Sequence, residues 1–385
     1  MKTAINVEVN PKVLVWARES IALSKNKAAE KIGISSQLLS KIESGEKSLN
    51  LDEIKLFSKN YKRSIATLLL DEPPAERPFP KDRRTVDSKN VNIFHEKTIL
   101  AVRKARALAS SLLELGNELE LKNIKFSIHS SVQESPKLVA FKIRERLNLA
   151  EIRAAQHDVK KAFEFYIEKV ESLGVAVFQF SLSAEDGVRG FSITDDVVPI
   201  IGIKRGGEAA SAKIFTLFHE LGHLVLNEGG LCDLHGGTEI QIEKWCNAFA
   251  AAVLMPPDEL LKHNKVNENI GRKNQEWSKS DLVAIGESFH VGPLAILRSL
   301  LEIGLTSSEF YKAAHEKWNK PAFGRAKKPE GQNIPKQTIQ EKGRTYVWRA
   351  FEAYDKNKID LKDLSDFLGV KLSYIPKTRE ILNAL

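Results

Sequence analysis

A chain of 385 residues that is 42% hydrophobic and 28% charged has the composition of a soluble globular protein and the length of two or three domains. No apolar run approaches the roughly 20 residues that span a bilayer, and the N-terminus lacks the apolar core of a secretory signal, so no membrane partner is expected. Two cysteines, Cys232 and Cys246, imply no disulfide framework and fit a reducing cytoplasm, while a formal charge of +8 permits nucleic-acid binding without establishing it.

Residues 1–70 carry apolar positions at helical spacing in short helices. Ala28, Ala29 and Ile32 line one helix, Gly33 makes the turn, and Ser35 caps a second helix whose inward side is Leu38, Leu39 and Ile42. Ser36, Gln37, Ser40 and Lys41 are left pointing outward. In a helix-turn-helix this surface meets base edges, where Gln37 can pair with adenine while Lys41, Lys47 and the serines suit phosphates. Residues 1–64 hold 12 Lys+Arg against 7 Asp+Glu, a net of +5 that agrees with a DNA-facing module. The segment resembles the Cro/repressor-type (XRE) helix-turn-helix family at Ala29, Gly33, Ser35, Ile42, Glu43 and Gly45. Its outward positions depart from a strongly basic reading surface by being small and weakly cationic, and its first helix holds Trp16 and Glu19. The resemblance implies double-stranded DNA as a partner, read through Ser35, Ser36, Gln37, Ser40 and Lys41. Dimerisation or docking of a protein partner is the alternative use of such a module.

Four prolines within residues 71–80 prevent a continuous helix, so 71–88 reads as a stiff linker. A long amphipathic helix follows at Ile99, Leu100, Val102, Leu108, Leu112, Leu113 and Leu115, with two more around 138–143 and 163–170. The period then switches to two. Val175–Phe180, Gly190–Ile193 and Val198–Ile203 read as three strands of a small sheet, whose exposed edge could hold an extended substrate by strand addition.

The most informative stretch comes next, Phe218-His219-Glu220-Leu221-Gly222-His223-Leu224. On a helix His219 and His223 lie one turn apart on one face, a spacing that lets two imidazoles reach one cation. Glu220, beside the first of them, is placed to take a proton from an activated water. Its flanks, Ile214, Phe215, Leu217, Leu221, Leu224 and Leu226, make the helix apolar, and burying the polar trio there is costly unless something pairs with it. Three protein ligands are normal in a catalytic zinc site, so a third is needed. Downstream candidates are Glu228, His235, Glu239, Glu243, His263, Cys232 and Cys246. Residues 239–256 read as a helix with an apolar side of Ile242, Cys246, Phe249, Ala250 and Val253; Glu243 lies on or beside that side, and Asn247 follows one turn later, where it can orient a ligand.

This constellation resembles the ImmA/IrrE family of zinc peptidases, which are gluzincin-like. Glu243, Asn247, Phe249, Ala250, Ala251, Leu254, Met255 and Pro256 match that family's second helix, with Cys246 in place of the usual alanine. The resemblance assigns His219, His223 and Glu243 to one catalytic Zn2+ and Glu220 to the general base. It extends to the segment Leu282–Val291.

Further on, Ser280 is expected to cap a helix facing inward through Leu282, Ile285 and Phe289, with Pro293 starting the next. Residues 306–345 read as a charged linker and 346–385 as a helical cap. The expected fold class is therefore α+β: an N-terminal all-α helix-turn-helix domain (1–70), a mostly helical metallopeptidase domain with a small β-sheet (89–305, catalytic core about 155–260), and a C-terminal helical segment. The functional expectation is a regulatory zinc endopeptidase whose protein substrate, by resemblance, is a transcriptional repressor. The reading leaves homodimerisation open. A DNA-binding regulator or antitoxin-like protein with a structural or vestigial metal site is the reading of a different class. An intact Glu220, which metal binding alone does not require, favours the enzyme.

Overall fold

The computed structural model describes residues 6–83, 94–122, 124–151, 158–194, 197–232, 240–271, 275–318 and 333–384. It divides into two compact units, one of Met1–Phe79, Asn90–Arg103 and Ser183–Asp186, the other of Pro80–Lys89, Lys104–Leu182 and Gly187–Leu385. Among the described residues no helix is long and apolar enough to cross a membrane. The expected α+β class holds.

In the first unit, five helices follow one another: α1 (Pro11–Glu19), α2 (Lys25–Ile32), α3 (Ser36–Glu43), α4 (Leu51–Tyr61) and α5 (Ile65–Leu68). Each start has a local cause. Asn10, Ser24 and Ser35 accept backbone N–H groups at the starts of α1, α2 and α3, and Asn50 and Glu53 form a capping box at α4. Gly33 ends α2 at φ +83°, a left-handed turn that glycine adopts without a Cβ penalty. A short antiparallel ladder joins β1 (Asn6–Val7) to β2 (Leu49–Asn50). Leu14, Ala17, Ile21, Ala28, Leu39, Ile42, Ile54 and Phe57 fill the core. At its margin Arg18 donates from Nε to Glu43 Oε1 at 2.7 Å and from a terminal nitrogen to Leu23 O at 3.0 Å. The pair fastens α1 to α3, the helix that carries the outward polar residues.

The second unit is built around a mixed sheet. Helices α6 (Glu96–Glu118), α7 (Pro136–Leu147) and α8 (Val159–Glu171) precede most of it in the chain. Three strands were expected, and β4 (Ala176–Phe180), β5 (Gly190–Ile193) and β6 (Ile200–Lys204) are present. Two more join them, β3 (Lys81–Arg83) and β7 (Gly230–Cys232), giving the order β3-β7-β5-β6-β4. The β3 backbone falls in the span read as linker. Three-residue strands made of Lys-Asp-Arg or Gly-Leu-Cys show no alternation for a period of two to reveal. β5 is antiparallel to both β6 and β7, whereas β4 pairs parallel with β6 and β3 parallel with β7.

The expectation of an exposed sheet edge needs correcting at β4. Its five residues are all buried although it is an edge strand, because the helix Ile334–Lys342 packs on it. This helix corrects a second expectation, since 306–345 is helical at Ser308–Trp318 and Ile334–Lys342. Asn333 caps the latter, Pro335 sits in its first turn, and Thr338, Ile339 and Lys342 face inward. A lysine-rich composition concealed that buried face. The basic run Arg325–Pro329 lies outside the described residues. A third correction is small: Ser278, not Ser280, caps Lys279–Phe289, accepting from Asp281 N at 3.0 Å. Leu282, Ile285 and Phe289 are buried as expected.

Lys342 is a buried cation. Its Nζ donates to Phe367 O at 2.8 Å and lies 5.1 Å from the Tyr346 ring centre. Burial, reinforced by repulsion from Lys104, pushes its pKa down to about 8. In an unfolded chain a lysine titrates near ~10.4, so between the two values the unfolded state holds more protons than the folded one. Stability should therefore rise with pH from about 8 towards ~10.4. Urea unfolding of wild type and Lys342→Met across that range checks this, and the rise should be smaller in the variant.

Candidate metal centre and active site

Two helices position the polar cluster, α9 (Ala210–Val225) and α10 (Ile240–Leu254). In α9 the apolar residues Ile214, Leu217, Phe218, Leu221 and Leu224 are all buried, so the helix is fixed from several sides. The helix α10 packs against both α9 and α7, where the Arg144 side chain donates to Val253 O near its C-terminal end. What lets α9 and α10 approach closely is Gly222. A Cβ there would lie 3.1 Å from Phe249 Cδ1 and 3.2 Å from Cys246 Sγ, tighter than side chains normally pack.

That close approach brings three donors together. His219 Nε2 lies 3.3 Å from Glu243 Oε2, His223 Nε2 lies 3.4 Å from Glu243 Oε1, and the two Nε2 atoms are 3.2 Å apart. The ligand atoms of His219, His223 and Glu243 all fall within 4.8 Å of one another, and all three residues are buried. His219 Nδ1–H donates to Asn247 Oδ1 at 3.1 Å. This bond puts the ring proton on Nδ1 and turns the Nε2 lone pair towards the cluster. Burial alone would raise the Glu243 carboxyl, but its bonds to His219 and His223 hold it well below the ordinary carboxylate range. Burial likewise opposes charge on His219, and the Glu243 carboxylate overrides it and raises that pKa. Two imidazoles and one ionised carboxylate converging in a dry pocket are the donor set of a divalent cation with nitrogen and oxygen preferences.

Glu220 is fully buried. Its carboxylate lies under β5, close to Gly190, where an added Cβ would come within 2.8 Å of Oε1. Among the described residues, the competing ligand candidates are not in the cluster. Cys246 faces Gly222, and His263 Nε2 sits 3.3 Å from Ser288 Oγ. Glu228 is likewise absent from the group of converging ligand atoms. His235, Glu239 and the Cys232 side chain lie outside the described residues.

In the helix-turn-helix, the five residues expected at the DNA divide by what they do. Ser35 Oγ accepts from Leu38 N at 3.1 Å and so caps α3, whereas Ser36 Oγ donates to Asn26 Oδ1 at 2.8 Å and ties α3 to α2. Gln37 and Lys41, one turn apart, are exposed, and Ser40 is half-buried beside them. The sequence reading missed Gly190 and Gly222. Gly222 stood inside the motif and Gly190 at the head of a strand, and neither position announces what it touches.

A helix-turn-helix module joined to a domain with two histidines and a glutamate on packed helices defines a metallopeptidase-like regulator. Residues 170–300 match the peptidase M78 family model, the IrrE N-terminal-like domain, and residues 14–68 match the helix-turn-helix family model. The chain thus carries a peptidase M78 domain behind an N-terminal helix-turn-helix domain, the architecture that the sequence resemblance implied. No curated protein matches the chain.

Replacing Asn247 with Ala removes the group that fixes the His219 tautomer and should weaken metal affinity by roughly 10- to 100-fold. His223→Ala should abolish stoichiometric binding. Competition titration of the apoprotein against a chromophoric chelator reads both.

Proposed function

We propose that the chain is a regulatory zinc endopeptidase acting in the cytoplasm on a protein substrate, a transcriptional repressor. The observation that carries this reading is the buried three-donor cluster with Glu220 on the same helix, one residue from His219. His219, His223 and Glu243 would hold the ion, and three protein ligands leave a coordination position for reaction chemistry. Zinc in such a site contributes Lewis acidity, which polarises a carbonyl and makes water a stronger acid. Glu220 accepts the proton of the attacking water at its carboxylate and delivers it to the departing amine. Asn247 keeps His219 in the binding tautomer, and the apolar walls of α9 and α10 exclude bulk water and strengthen each electrostatic contact.

The helix-turn-helix would place the chain on double-stranded DNA as a homodimer. Gln37 and Lys41 would be the reading and phosphate-contacting residues, Ser40 would lie between them, and Ser35 and Ser36 would set the pose of α3. The weakly basic outward face suits DNA binding as an accessory to proteolysis, not as the whole activity.

Glu220→Gln preserves shape and all three ligands while removing the base. It should bind about one zinc, as a three-ligand site does. Cleavage of the target in lysate of the source organism should fall at least about 100-fold, the lower end of general-base effects. Metal analysis and gel-based cleavage assays measure the two. Full cleavage by the variant would exclude Glu220 as the base.

A further inference from the structure

The geometry points to Gly190 as a positioning residue for Glu220: the missing side chain on β5 is what lets the carboxylate of the base lie where it does. The inference rests on the peptidase reading for the role of Glu220 but not for the contact itself. A Cβ at Gly190 would stand 2.8 Å from Glu220 Oε1, 3.1 Å from Glu220 Cγ and 2.7 Å from Thr216 Cγ2. Something must move if a side chain is placed there.

The strand cannot be what moves. β5 is an interior strand, with Gly190 opposite Ile203 on one side and opposite Cys232 on the other. Next to it, Lys204 N donates to Arg189 O at 2.8 Å. The backbone is thus held from both edges, and shifting it would break two ladders. Thr216 cannot easily move either. It is buried one turn before Glu220, its hydroxyl donates to Ala212 O at 3.0 Å, and a β-branched side chain on a helix has few alternatives at χ1. Glu220, with three rotatable bonds, is the group that yields. The ligands are not in this contact: His219 meets Asn247, and both histidines meet Glu243, across the α9–α10 interface. With the Thr216 contact relieved, a side chain at Gly190 therefore displaces the base and leaves the metal donors in place. Misplacing a reacting group by about 1 Å costs on the order of 100-fold in rate.

The test compares wild type, Gly190→Ala, Glu220→Gln and the double variant in the full chain. Readouts are metal content, the visible absorption of the Co2+-loaded proteins, and kcat on the protein cleaved in lysate. Gly190→Ala is expected to hold the same metal content as wild type and to shift the cobalt spectrum in the direction of Glu220→Gln. It should also lose on the order of 100-fold in kcat, with no further loss when added to Glu220→Gln. Thr216→Ser, which removes Cγ2 and keeps the hydroxyl, is combined with Gly190→Ala to relieve the second contact and protect folding. This pair should remain slow. Recovery of full kcat in the pair would overturn the inference by placing the effect on Thr216. So would loss of metal in Gly190→Ala, or a wild-type cobalt spectrum with wild-type kcat. If wild type cleaves nothing, the peptidase reading fails, and the cobalt spectra still decide whether Gly190 governs Glu220.

Discussion

The peptidase M78 domain depends on one constraint: two imidazoles and two carboxylates must be buried on and around helices that are otherwise apolar. His219, Glu220 and His223 have no exposed surface and Glu243 almost none. Leaving such groups without partners would cost several kcal/mol each, enough to unfold a typical domain. The arrangement resolves this by bringing opposite charge and matching donors into contact, so that each imidazole faces Glu243 and His219 also faces Asn247. This requires α9 and α10 to lie closer than side chains usually permit. Gly222 provides that approach, and Phe249 and Cys246 fill the space it leaves.

The sheet answers a different need. Its interior strand β5 is gripped by β6 and β7, which gives a rigid surface for α9 to rest on. A helix resting on a fixed strand has its rotation set by the contacts it makes. Here those contacts are Thr216 and Glu220 against Gly190. The same helix therefore shows its ligands to α10 and its remaining carboxylate to the sheet. Two faces of one helix thus carry the histidine pair and the second carboxylate. This division follows directly from the period of the helix, since residues 219 and 223 share a face that residue 220 does not.

Much of this was legible in the sequence because it is local. The spacing of His219 and His223, the apolar flanks and the cap at Ser35 are read over a few residues, where helical period and hydrogen-bonding chemistry leave few choices. Glu243 and Asn247 lay within reach as well, since each sits on one side of a periodic helix and the resemblance supplied their partner. What escaped was long-range or short. β3 and β7 are three-residue strands whose pairing depends on a neighbour supplied elsewhere in the chain. The helix Ile334–Lys342 hides its buried face behind lysines and glutamines. A cap can be satisfied by either of two serines, and Ser278 rather than Ser280 has the extended backbone that a cap needs. Nor does a glycine at the head of a strand reveal that a carboxylate will lie against it.

The central claim is that His219, His223 and Glu243 hold one cation with a position left for chemistry. Diffraction at the zinc absorption edge from crystals of the purified chain tests it most directly. The account predicts a single anomalous peak about 2.0–2.2 Å from His219 Nε2, His223 Nε2 and the Glu243 carboxylate, the ordinary zinc distances, with no fourth protein ligand. A fourth side chain closing the coordination sphere would make the site structural. Density for zinc elsewhere, with none among these three residues, would contradict the account.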